Sequence, residues 1–316
     1  MGFRSIRGLK EYDEAIMRPI RRALFGAALF SAGMVGALLA QSSAPEVIYS
    51  PRPLYDAARR LESLFQNVVT YEDPVWMWQG DSIQRGSNEN ARILIYRLLV
   101  LPDDIARGET PKLDAATVGR VVSAYQSQNS GGPQFGVSSS SWGLHIIPLQ
   151  ARDESGRLIP ATKLLDARIS IPEESRMASE HLKALADSIT AVTGVKVVAG
   201  SFYFDAYFAA NGILPPKGAA QLLSSAEKVP YPFSWGAAAV PARDALIDLL
   251  EHSATTLSWK LLCDAGPIDG MRHCVLNLGP ISISSTGPDG KPTRRPINYD
   301  RLGTDPKRSP PIGPPQ

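Results

Sequence analysis

The sequence contains few of the residues that bind metals or form disulfide bonds. It contains two cysteines and four histidines among 316 residues, whereas a structural zinc site needs four converging ligands. His273 and Cys274 are adjacent and would point to opposite faces of a strand, so they cannot both join Cys263 at one ion. We therefore assign no metal ligand and no cofactor-binding residue.

The chain also lacks a large net charge of either sign. The formal net charge of the chain is +2, and residues 1–44 carry six Lys or Arg against three Asp or Glu, so the remainder has a net charge of −1. Proteins that bind nucleic acid need a basic surface to neutralise phosphates. The composition therefore argues against a nucleic-acid partner.

Recognisable catalytic motifs are missing as well. No Gly-x-Ser-x-Gly elbow occurs in the chain. The four histidines have no carboxylate or second histidine at a useful local spacing, and we expect them at surface or hairpin positions. They are His145, His181, His252 and His273. We assign no catalytic residue.

One cluster keeps a hydrolase open as the alternative function. Carboxylates beside aromatic side chains are typical of glycosidases, and four aspartates lie near two tryptophans in the chain. They are Asp73, Asp81, Asp103 and Asp104, with Trp76 and Trp78. This cluster supports a secreted hydrolase acting on carbohydrate or peptide.

The clearest feature that is present is an export signal. Arg18, Arg21 and Arg22 precede an apolar run over residues 23–40, and small residues follow it up to Ala44. This order is typical of a cleaved signal peptide. We predict cleavage between Ala44 and Pro45, and we take Met17 as the true start.

The same run is long enough to be read as a membrane anchor. In that case residues 23–40 stay in the inner membrane and form the only membrane contact. In either case the positive charges are retained inside, so the bulk of the chain lies outside the cytoplasm. The expected location is the periplasm or the exterior, with an anchored form as the alternative.

The exported part shows an internal repeat of two small βαβ-type modules, residues 45–151 and 152–283. Helices with one apolar stripe favour a packing of two helices against a small mixed sheet in each module. The predicted fold class is therefore α+β. In the first module we predict strands at 47–49, 68–72 and 92–101, helices at 54–67 and 115–128, and a hairpin over 135–149.

The second module repeats this order. We predict a strand at 165–171 ended by Pro172, a helix at 174–193 with Gly194 at its C-cap, and a strand at 195–200. A helix that begins at Pro241 and a hairpin of 257–263 with 273–278 complete it. We expect Leu61 and Leu185 to occupy equivalent buried positions.

Two segments stand outside the repeat. Residues 202–234 form an insertion with an aromatic cluster, for which we favour core packing over an exposed contact patch. The cluster comprises Phe202, Tyr203, Phe204, Tyr207 and Phe208. Residues 284–316 are rich in Pro and Gly without apolar periodicity, which predicts a disordered tail.

Cys263 and Cys274 flank the connection of the last predicted hairpin. In an oxidising compartment such a pair is a disulfide candidate. The alternative is two buried thiols, because bridging requires facing positions that the sequence does not fix.

The second module resembles a known family. The features that carry this are Ile171-Pro172 before an Ala/Leu-rich helix, Thr193-Gly194 before a Val-rich strand, residues 245–250 (ALIDLL), and residues 257–259 (LSW) before two strands. This pattern resembles the short amino-terminal (STN-like) domain of secretins and TonB-dependent receptors, over roughly residues 169–278. The resemblance implies a protein-contact module outside the inner membrane, so we expect an exported, non-catalytic interaction protein with a protein partner in the cell envelope.

Overall fold

The computed structural model describes residues 45–84, 92–200, 204–209, 232–253, 255–286 and 292–296. The apolar segment 23–40, Ala44, Phe202, Tyr203 and residues 297–316 lie outside these ranges. The chain has a compact unit that begins at Pro45. Within the described ranges, no helix is both long enough and apolar enough to cross a bilayer.

The first half of the compact unit alternates strands with two long helices. The first long helix has Pro53 in its first turn, where the missing N–H is harmless. The second is capped by Asp114, which accepts a hydrogen bond from the Thr117 N–H at 2.9 Å. The elements are β1 (Val47–Ser50), α1 (Pro53–Phe65), β2 (Val69–Glu72), β3 (Ser82–Gln84), β4 (Arg92–Leu94), β5 (Arg97–Val100), α2 (Asp103–Ala106), α3 (Ala115–Gln128), β6 (Gln134–Ser139) and β7 (Leu144–Arg152).

The second half again has two long helices, and the chain continues into a final hairpin. Gly194 ends the first of these helices in the left-handed conformation with φ 70°, as predicted. The elements are β8 (Leu158–Pro160), β9 (Arg168–Arg176), α4 (Ala178–Thr193), β10 (Lys196–Gly200), α5 (Phe204–Ala209), β11 (Phe233–Pro241), α6 (Ala242–Glu251), β12 (Leu257–Cys263), β13 (His273–Pro280), β14 (Ser282–Thr286) and β15 (Pro292–Pro296).

Seven strands from both halves form one mixed sheet. Six of them follow the order β10-β13-β12-β2-β7-β6, and β8 pairs with the end of β7. Pairing is parallel for β10 with β13, β12 with β2, and β2 with β7, and it is antiparallel within the β12/β13 and β6/β7 hairpins. Two-stranded antiparallel sheets form from β1 with β5 and from β9 with β11. The predicted α+β class is confirmed.

The large sheet is covered on both faces. One hydrophobic cluster contains the buried residues of α1 and α3, and the other contains those of α4 and α6. Along β12, Trp259 and Leu261 belong to the second cluster, whereas Leu262 packs against the first. Because alternate side chains of a strand point to opposite faces, the two helix pairs lie on opposite sides of the sheet.

Two predicted elements differ from the structure. The predicted strand at 92–101 is split at Ile95 and Tyr96, because β4 pairs with β3 while β5 turns to pair with β1. The strand predicted to end at Pro172 runs to Arg176, so α4 starts at Ala178 rather than at residue 174. The β9/β11 register shifts between Trp235 and Ala237, opposite Pro172, and such a bulge tolerates a residue without an N–H.

The structure differs from the predictions made for the tail from residue 284 and for the insertion at 202–234. Residues 282–286 and 292–296 pair as an antiparallel hairpin, so the disordered tail predicted from residue 284 is wrong for these strands. Their serines and threonines pair through the backbone, which needs no apolar periodicity. Strand β11 was not anticipated in the insertion, whereas Phe204 and Phe208 are core residues at 1% and 3% exposure.

Candidate functional site

The two halves of the compact unit meet where β12 lies parallel to β2. Lys260 is opposite Tyr71, Leu261 is opposite Glu72, and the Asp73 N–H donates to the Leu261 carbonyl at 2.8 Å. We call this junction the seam. It makes one continuous sheet out of strands from the two halves.

On the α1 side of the seam, Lys260 forms a buried ion pair. Its Nζ donates to Glu62 Oε1 at 2.9 Å, to the Val69 carbonyl at 2.6 Å and to Ser258 Oγ at 2.7 Å. Burial lowers the pKa of Lys260, and Glu62 opposes that shift. The three donors of the ammonium group thus meet three acceptors, as a buried charge requires.

On the α6 side of the seam, Glu72 pairs with Arg243. The Nη2 of Arg243 donates to both carboxylate oxygens, at 2.9 and 3.0 Å, and its Nη1 bonds Asp166. Glu72 is 1% exposed. Burial raises the pKa of Glu72 to about 7, although Arg243 acts in the opposite direction. The two ion pairs cross the seam in opposite senses, because each half supplies the strand residue of one pair and the helix residue of the other.

A third polar group ties the end of β12 to the first half. Asp73 accepts from Arg52 Nε at 2.7 Å, from the Tyr71 hydroxyl at 2.8 Å and from the Cys263 N–H at 2.9 Å. Arg52 Nη2 also donates to the Cys263 carbonyl at 2.6 Å. Sequence reasoning singled out Asp73 and Cys263 for other roles, and it missed Arg52, Tyr71 and the residues of the two ion pairs. The available signal was a charge inside an apolar strand, as with Lys260 in LSWKLLC.

The two cysteines face each other at the base of the β12/β13 hairpin. Cys263 is the register partner of Cys274, and the structure joins them in a disulfide with an S–S distance of 2.01 Å. The bridge closes a loop in which ten residues lie between the two cysteines. Pro45, which follows the predicted signal-peptidase cleavage site, is exposed at the start of the compact unit.

Two histidines are buried, and one of them corrects the prediction. His181 lies on α4, at neither a surface nor a hairpin position, whereas His145 lies in the β6/β7 hairpin as predicted. His145 is 1% exposed, stacks on Trp259 with ring centres 5.1 Å apart, and bonds Thr70 Oγ1 at 2.9 Å and Ser140 Oγ at 2.7 Å. Burial lowers its pKa to about 4. His181 is also buried, with Nε2 bonded to the Phe233 carbonyl.

The contact between Ser140 and His145 has the distance of a nucleophile and its base. The far ring nitrogen of His145 meets the hydroxyl of Thr70 rather than a carboxylate. A hydroxyl does not stabilise the imidazolium that such a base must form. We therefore interpret His145 as a neutral core residue whose two ring nitrogens are satisfied by hydroxyls.

Three of the four aspartates of the alternative hydrolase pair with an arginine. Asp73 pairs with Arg52, Asp81 with Arg97 and Asp104 with Arg120. Asp103 is exposed, Trp76 is buried, and Trp78 lies over the guanidinium of Arg152 at 4.8 Å. A cleft of about 470 Å³ lies beside Trp78, and among the described residues that line it Glu154 is the only carboxylate. The arrangement does not bring two of the predicted carboxylates together in that cleft.

The sheet ends in two strands whose outer edges pair with no strand in the described part of the chain, β10 and β6. A groove of about 390 Å³ runs along β10, lined by residues 196–199 and by α4 residues that include Leu182, Lys183, Ala186 and Asp187. Val198 is 45% exposed there. An exposed strand edge beside a groove with apolar and charged lining residues is a geometry that can accept an added strand.

Within the described ranges, no group of three or more His, Cys, Asp or Glu side chains could hold a metal ion. Comparison with known proteins finds no match, either to a family model, to a curated protein or to a solved structure.

Proposed function

We propose that residues 45–151 and 152–283 are two copies of one module. Each copy has the order strand, long helix, strand, strand, long helix, hairpin. The pairing supports this, because β1 with β5 corresponds to β9 with β11, and the set β2, β7, β6 corresponds to β10, β13, β12 with the same parallel and antiparallel relations.

A side-chain contact supports the same correspondence. The Val69 N–H donates to Glu62 at 3.1 Å, and the Val197 N–H donates to Thr190 at 2.9 Å, in each case across seven residues. The same offset aligns three pairs of helix core residues that are all buried. They are Leu54 with Leu182, Ala58 with Ala186, and Leu61 with Ile189. The expected partner of Leu61, Leu185, is one helical turn away and aligns with Ala57.

The function that this architecture supports best is that of an exported, non-catalytic protein-interaction domain. The observation that carries the proposal is the β10 edge with the groove beside it, where a segment of an envelope protein can add as a strand. The ion pairs of the seam are mostly buried and each charged group has its partner within hydrogen-bond distance, so their role is in assembly of the domain. The STN-like resemblance of residues 169–278 is in keeping with this role.

A photo-crosslinking residue at position 198 tests the proposal in the native cell envelope. We expect it to trap a defined protein, and the same residue at position 192, which is 59% exposed on α4, to trap little. Equal yields at both positions would contradict a specific edge site. Amino-terminal sequencing of the exported protein tests processing, since a start at Pro45 is expected, and recovery only in membranes with residues 23–40 intact supports the anchor.

The alternative hydrolase has its own test at the cleft beside Trp78. Hydrolysis of a carbohydrate or peptide by the purified protein, lost in Trp78→Ala but retained in Val192→Ala, would favour it over the interaction domain.

A further inference from the structure

We propose that copies of this protein join head to tail, with β6 of one copy adding in parallel to the outer edge of β10 of the next. This inference rests on the proposed two-module architecture. It identifies the occupant of the β10 edge as a second copy of the same chain.

The pairing at the seam shows how two modules can join. In the two proposed modules, β12 is equivalent to β6, and β2 is equivalent to β10. The sheet order β10-β13-β12-β2-β7-β6 therefore reads as one module of three strands followed by the same module again. The seam joins one strand of each kind, β12 and β2, and the two ends of the sheet are one strand of each kind, each with an outer edge that no described strand pairs. The two ends of the sheet thus present the same two backbone edges that pair at the seam.

The register of the new joint follows from the pairing within each module. Val69 pairs with Leu144 and Val197 with Cys274, so Tyr71 aligns with Ala199 and Glu72 with Gly200. The hairpins extend the alignment to the other edge, since Val137 pairs with Ile146 and Leu261 with Leu276. Gly136 then aligns with Lys260, and Val137 with Leu261. The seam pairs therefore place Gly136 of one copy opposite Ala199 of the next, and Val137 opposite Gly200.

Side chains at the β10 and β6 edges are exposed as expected for a seam whose second half is absent. Thr70, on the outward face of β2, is 0% exposed because the second half covers it, whereas the aligned Val198 is 45% exposed. On the other edge, Leu149 lies over Gly136, with a side-chain carbon 2.9 Å from where a Cβ would stand, and is 41% exposed. Leu149 thereby fills the place that Lys260 holds at the seam. It would face the groove between α4 and β10, which corresponds to the space between α1 and β2.

Edge-specific variants test the head-to-tail arrangement. Val198→Lys should block the β10 edge and Leu149→Lys the β6 edge, while Val192→Lys, on exposed α4 surface, is the matched control. For the chain from Pro45 to Gln316, we expect the mass in sedimentation equilibrium to rise with concentration for the unmodified protein and for Val192→Lys. Each edge variant should remain a monomer alone. An equimolar mixture of the two edge variants should form a 1:1 dimer, because each still has the edge that the other lacks.

Several outcomes would overturn the proposal. A monomer at all concentrations up to about 1 mM would do so, because even weak contacts populate a complex there. Association lost in Val198→Lys but kept in Leu149→Lys would indicate a symmetric β10–β10 dimer instead. Crosslinking of a different protein at position 198, with no self-association, would leave the interaction domain supported and the second copy excluded.

Discussion

The seam and the free edges use the same backbone geometry with different side chains. At the seam, two buried ion pairs join the halves, Lys260 with Glu62 and Arg243 with Glu72. The aligned positions at the free edges are Gly136, Thr190 and Gly200, which carry no charge. A buried ion stabilises a junction only while its partner is present. The charges beside the β10 edge, Lys183, Asp187 and Lys196, instead line an open groove, where water can solvate them. The difference indicates a permanent joint inside the chain and a reversible one at its ends.

Removing one partner of a seam ion pair should have the largest effect. Arg243→Met leaves Glu72 buried without a counter-charge, and we expect a loss of about 3–5 kcal/mol in the free energy of unfolding. Urea denaturation measures this. The double variant Glu72→Met with Arg243→Met should recover much of the loss, and a single variant as stable as the parent would contradict the assigned role of the pair.

The protonation of His145 should lower the free energy of unfolding in acid. Its pKa is about 4 in the folded protein against an ordinary 6.5. Its contribution is therefore complete above pH 6.5 and is lost as the pH falls from 6.5 towards 4, because only the unfolded chain then takes up the proton. His145 alone should lower the free energy of unfolding by up to about 3 kcal/mol over this range. Glu72 acts in the opposite direction, because its pKa of about 7 in the folded protein lies above the ordinary value of 4.5. The difference between the urea-derived pH profiles of the parent and of His145→Gln isolates the histidine, and parallel profiles would refute the assignment.

Reduction of the Cys263–Cys274 disulfide should have a comparable effect, a loss of up to about 3 kcal/mol in the free energy of unfolding, since the closed loop is short. Unfolding curves with and without reductant measure it, with the double Cys→Ser variant as the control that no longer responds to reductant. Two titratable thiols in denatured protein from an oxidising compartment would show that the bridge does not form.

The free edge should contribute least to folding. Val198→Lys places a charge on an exposed side chain, so we expect a change within about 0.5 kcal/mol in the free energy of unfolding. The same variant should lose self-association. A large destabilisation would mean that Val198 is a core residue of this fold rather than a contact residue.

Local signals in the sequence predicted much of the fold. Helix α3 and strand β12 have the predicted bounds, and Gly194 caps α4, because apolar spacing and terminal residues are local properties. The seam could not be predicted, since it pairs β2 with a strand from the other half. Lys260 and Glu72 alternate with apolar residues and therefore resemble the solvent face of half-buried strands. Only the packing of the opposite half turns that face into an interior.

The crossed ion pairs also set an order of events for a chain that is synthesised from its amino terminus. Glu62 and Glu72 belong to the first half, but Lys260 and Arg243 emerge only near the end of the compact unit. Until they arrive, the outward face and the open edge of β2 have no second half to cover them, so Glu62 and Glu72 stay in water without a counter-charge. A fragment ending at residue 151 should therefore be less stable in urea than the whole compact unit, because it lacks the strand and the two cations that complete the seam. The last part of the chain to be synthesised thus completes the joint on which the first half depends.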